Sequence, residues 1–79
     1  MKKEFTLTIY TENHVGLINK IAIMFSRRKI SLESFNTSPS EVPNIYRFTI
    51  VGIEAEAVVK KLVKQIEKIV DVFKVYCNT

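Results

Sequence analysis

Residues able to do chemistry are few in this chain, and one short stretch gathers most of them: Asn13-His14-Val15-Gly16-Leu17-Ile18. It lies between an alternating apolar pattern and a strong three-and-four apolar repeat, so it sits where a helix begins. The first turn of a helix carries backbone N–H groups without intrahelical acceptors, and its dipole favours negative charge. A small carboxylate, such as that of a free amino acid, suits such a place. Asn13 offers a side-chain oxygen to a first-turn N–H. Gly16 is read as the flexible residue ahead of the helix, where any side chain would intrude on a close backbone approach. On spacing alone, the same residues also describe a plain capped turn.

The rest of the sequence supplies no catalytic set. His14 is the sole histidine and Cys77 the sole cysteine, so neither has a second imidazole or thiol to pair with. His14 reads as a solvated or locally hydrogen-bonded side chain, or at most a ring flanking a ligand. Cys77 reads as a small packing residue near a strand end, with no internal disulfide open to it. HExxH, CxxC and phosphate-cradling glycine loops are absent; the two glycines are Gly16 and Gly52. Glu54, Glu56 and Glu67 share a helix without converging, while Glu33 and Glu41 lie elsewhere. Enzymatic activity, a metal and a cofactor are therefore not expected.

The elements that must position the stretch are legible from periodicity. Phe5, Leu7 and Ile9 alternate with Thr6, Thr8 and Tyr10, a strand pattern. Between Val15 and Arg28, Leu17, Ile18, Ile21, Ala22, Met24 and Phe25 form the wide stripe of an amphipathic helix. A polar strand is expected over Ile30–Thr37, then a hairpin loop over Ser38–Asn44 with its two prolines. Ile45–Val51 alternates again, with Gly52 read as its end. Glu54–Ile69 carries Val58, Val59, Leu62, Val63, Ile66 and Ile69 on one side, and Val70–Cys77 supplies a last strand. The order strand, helix, strand, strand, helix, strand predicts an α+β, ferredoxin-like βαββαβ domain over residues 1–79, an antiparallel four-stranded sheet with both helices on one face. So short a chain leaves the other face bare, where Thr6, Thr8, Arg47 and Thr49 suit partial exposure. Pairing with another copy would cover an open sheet edge.

Composition narrows the partners. With 47% hydrophobic and 25% charged residues the chain is an ordinary globular one, and no segment nears the ~20 apolar residues of a membrane span. Neither a membrane partner nor a signal-peptide core is indicated, and a cytoplasmic location is expected. The net charge of +4 raises nucleic acid as a partner. Lys60, Lys61, Lys64 and Lys68, however, fall opposite an apolar stripe, and Arg27-Arg28-Lys29 ends a helix, where cations offset the dipole. Modules that bind RNA on this strand order stack bases on aromatics of the open face. Here Phe5, Phe48 and Phe73 take the core side of the alternation, leaving only Tyr10 and Tyr76 outward near strand ends. Nucleic-acid binding is not expected.

Several blocks together resemble a known family. Asn13 to Ile18, with Ile21 and Phe25-Ser26-Arg27-Arg28, resembles the start of ACT domains, the ligand-sensing modules of amino-acid metabolism. Ile30-Ser31-Leu32-Glu33-Ser34-Phe35, Pro43, Arg47-Phe48-Thr49-Ile50-Val51 and Lys64-Gln65-Ile66-Glu67-Lys68-Ile69-Val70-Asp71-Val72 are similar to the regulatory small subunit of acetolactate synthase. The resemblance spans about residues 4 to 76. It implies a homodimer of ACT domains that regulates a separate thiamine-diphosphate-dependent catalytic subunit and senses valine or a related branched-chain amino acid. The effector would lie between copies, against Asn13, His14, Val15, Gly16, Leu17 and Ile18 of one and Ser31 of the other. A free-standing ACT module controlling another enzyme or a transcription factor is the alternative. Two positions depart from the family: Ser31 stands where asparagine is usual, and Lys29 where a helix-ending glycine is usual, implying an altered or strained cap.

Overall fold

The computed structural model describes residues 1–12 and 14–78, with the side chains of His14 and Val15 outside the description. The elements follow the expected order: β1 (Lys2–Thr11), α1 (His14–Arg27), β2 (Ser31–Pro39), β3 (Tyr46–Ala55), α2 (Glu56–Glu67) and β4 (Val72–Asn78). The strands form one four-stranded antiparallel sheet in the order β2-β3-β1-β4. This is the βαββαβ ferredoxin-like arrangement. β2 and β4 are its edges.

Alternation along β1 sends Phe5, Leu7 and Ile9 into the core, where they meet Phe48 and Ile50 of β3. Leu17, Ile21 and Phe25 of α1 and Val59, Leu62 and Ile66 of α2 close over them in the same cluster, so both helices cover one face. The Phe25 ring lies nearly parallel to that of Phe5, with centroids 6.5 Å apart. On the opposite face Thr6, Thr8 and Thr49 are half-buried and Arg47 is exposed, donating to Ser38 Oγ across the strands at 3.4 Å. The lysines of α2 are exposed, as its periodicity predicts, and Lys60 pairs with Glu56 at 3.3 Å.

Three expectations need correction. Gly52 does not end β3, which runs on to Ala55. A Cβ at Gly52 would stand 2.6 Å from the Ser31 carbonyl oxygen and 2.9 Å from Cζ of Phe5, so the glycine is there to let β2 and an aromatic ring approach. Phe73 is not in the core: the β1–β4 register slips between Tyr10 and Thr11, and Phe73, the extra residue, is 60% exposed. A bulge of this kind inverts the side on which strict alternation places a residue. Cys77 lies on the edge strand and is exposed rather than packed.

Candidate functional site

Helix α1 begins at His14, so Gly16 stands inside the first turn rather than ahead of it. No described glycine has a positive φ. Gly16 therefore serves no left-handed turn; it keeps an exposed position of the first turn free of a side chain. Leu17 is 2% exposed and belongs to the core, which leaves only its backbone available to a ligand. Ile18 is half-buried and packs against the same cluster. Asn13, and the side chains of His14 and Val15, lie outside the described residues.

The approach to this turn is anchored. Thr11 is fully buried, and its hydroxyl donates to the Asp71 carbonyl at 2.9 Å. The Glu12 N–H donates to the same carbonyl at 3.1 Å. One oxygen at the mouth of β4 thus holds the exit of β1, and with it the path of the chain into α1.

Ser31 is exposed at the other end of the sheet. It pairs with Ile53, which pairs with Glu4, whereas Thr11 pairs with Tyr46 and Tyr46 with Pro39. Seven residues of β1 separate the two ends, roughly 23 Å at about 3.3 Å per residue. One copy of the chain therefore does not bring Gly16 and Ser31 together. β2 is an open edge, however, and Leu32 on it is 39% exposed. Between this strand and α1 runs a hollow of about 550 Å³, with Phe25, Ile30, Leu32 and Phe35 in its walls.

Sequence reasoning missed a second, larger hollow of about 1110 Å³, at the sheet end where β1 finishes. Tyr10, Phe73 and Tyr76 line it beneath Val42 and Pro43 of the 40–45 loop. Tyr10 and Tyr76 meet edge to face at 6.0 Å, and Lys74 Nζ stands 5.6 Å from the Tyr76 ring centre. The outward tyrosines signalled it, but the bulge that adds Phe73 leaves no mark in the alternation.

A hydrogen bond with Glu4, reinforced by partial desolvation and the like charge, pushes the Glu33 carboxyl above its usual value. Partial burial, and then Glu56, raises the Cys77 thiol. Among the described residues no three His, Cys, Asp or Glu side chains are grouped to hold a metal ion, and no helix is long and apolar enough to cross a membrane.

Comparison with known proteins agrees with the fold and locates the similarity. The profile of AHAS small subunit-like ACT domains matches residues 7–74. The acetolactate synthase small subunit of Haemophilus influenzae is 33% identical over 69 residues, 87% of this chain and 42% of that protein. That of Bacillus subtilis is 37% identical over 76 residues, covering 95% and 43%. The crystal structure of the acetolactate synthase small subunit from Thermotoga maritima superposes with a TM-score of 0.82 at 28% identity, covering 95% of this chain and 47% of that one. The chain spans less than half the length of the curated relatives it matches.

Proposed function

The chain belongs to the family of AHAS small subunit-like ACT domains, and on that premise we propose that it is the effector-sensing module of an acetolactate synthase regulatory small subunit. In this reading it has no active site of its own. It pairs with a second copy and binds a valine-like branched-chain amino acid, adjusting the activity of a thiamine-diphosphate-dependent catalytic subunit.

The observation that carries this reading is the separation of Gly16 from Ser31. The two halves of the expected site stand at opposite ends of one sheet. Two β2 edges running antiparallel about a two-fold axis would bring the end of one strand beside the start of the other. The first turn of α1 would then face the partner's Ser31. The exposed Leu32 supplies apolar contact that such a pairing would bury. The effector carboxylate would meet the α1 N-terminus, where the dipole favours it, close to the bare Gly16. Charge-assisted hydrogen bonds contribute about 1.5–3 kcal/mol each, so three at the upper end, with burial of the aliphatic side chain, reach the roughly 8 kcal/mol of micromolar binding.

Isothermal titration of the chain with valine, leucine and isoleucine, with sedimentation to define its oligomeric state, tests the reading. Saturable binding of at least one of them by a dimer is expected. Silence for all three on a confirmed dimer removes the effector site.

A further inference from the structure

The aromatic hollow at the end of β1 takes Phe73, Lys74 and Tyr76 of the edge strand β4 into its lining. From its chemistry we infer that it is the docking surface for an arginine-bearing segment of the catalytic subunit, an inference that rests on the reading just given.

Three observations point to that occupant. The first is ring content. Tyr10, Phe73 and Tyr76 offer flat faces in one open hollow, and Phe73 is held outward by the bulge in β4 although 60% of it is exposed to water. A guanidinium stacks on such faces while its stem covers apolar surface. The second is charge. The chain carries +4 overall, yet this hollow is lined by two acidic residues, Glu12 and Asp71, against one cation, Lys74. Carboxylates beside aromatic rings favour arginine, which pairs in a planar fork and stacks at once.

The third is position. Glu12 immediately precedes the effector stretch, and its N–H shares the Asp71 carbonyl with Thr11. A partner held at Glu12 and Asp71 would grip the clasp that sets the path of the chain into α1. Effector and catalytic subunit would then influence each other's binding by the same factor, as linkage requires.

The test titrates the catalytic subunit of the same organism with the wild-type chain and three variants whose melting curves are also recorded. Phe73→Ala, which vacates no core position, and the double variant Glu12→Gln/Asp71→Asn are each expected to weaken association at least tenfold. Lys74→Glu, by adding negative charge, is expected to strengthen it about threefold, and the gain should shrink with added salt. Charge variants that each shift affinity in the reverse of these directions, or unchanged affinity of all three with native melting curves, overturn the docking surface. So does a change in the chain's own oligomeric state with any of them, which would make the hollow a contact between copies. Valine binding without any wild-type association removes the docking surface and leaves the effector site standing. Association that the variants retain, with no valine response, removes the effector reading as well.

Discussion

Lys29 occupies a backbone position that side chains rarely take, with φ of 53°. It ends α1 in a Schellman arrangement: its N–H donates to the Ser26 carbonyl at 3.1 Å, and that of Ile30 to the Phe25 carbonyl at 3.2 Å. Ile30 and Phe25 are both buried, completing the apolar contact of that cap. The left-handed conformation costs a residue with a Cβ about 1–2 kcal/mol, partly offset by the greater freedom glycine has when unfolded. Lys29→Gly should therefore stabilise the domain by about 1 kcal/mol, seen as a melting temperature about 4–8 °C higher. Gly16 calls for the opposite handling. Gly16→Asp places a negative charge in the first turn of α1, where the dipole tolerates or favours it, so the fold should survive. The same charge would repel an effector carboxylate, and calorimetry should find valine binding lost while the far-UV spectrum is unchanged.

At the scale of elements, the β2–β3 pairing depends on a missing side chain. Gly52 lets the Ser31 carbonyl and the Phe5 ring occupy the space of a Cβ. Gly52→Ala should cost about 1–3 kcal/mol, the usual range for overpacking a filled interior, as measured by denaturant midpoint. It should also loosen the start of β2, giving faster amide exchange near Ser31 than in β1. The same strand carries a titrating device. Glu33 falls at the register shift between Leu32 and Ser34, and its hydrogen bond with Glu4 raises its affinity for a proton in the folded chain. A carboxyl whose folded pKa is raised adds stability that is present at low pH and lost as pH climbs through that raised value. Glu33→Gln should therefore melt higher than wild type at neutral pH. The difference should close as the pH falls through the region just above the ordinary glutamate value.

At the scale of the whole molecule, β2 and β4 are sheet edges, and Gly16 and Ser31 lie at opposite ends of the sheet. If copies pair through β2, Leu32→Glu should put a charge into the contact and shift the chain to monomer in sedimentation. Valine binding should fall with it, because Ser31 then has no partner to serve. A monomeric variant that binds valine as tightly as wild type would show that the site is complete within one copy.

Periodicity carried the architecture because core burial rewards a side chain only where spacing points it inward. Phe5, Leu7 and Ile9 on β1 and Val59, Leu62 and Ile66 on α2 could thus be read directly. The strain at the Lys29 cap was signalled too, by a lysine where the family usually has a helix-ending glycine. Site geometry was not. Gly16 entered the helix instead of preceding it, and a bulge turned Phe73 out of the core.

What the sequence determined by itself was the order of elements and the inward stripes of β1, β3 and the two helices. Only the tertiary structure decided that Gly16 and Ser31 stand at opposite ends of a sheet, that a bulge turns Phe73 out beside Tyr76, and that Gly52 yields its space to another strand. The physical reason is common to all three. Strand register and bulges arise from pairing between distant segments, and no local pattern of hydrophobicity encodes which residue faces which.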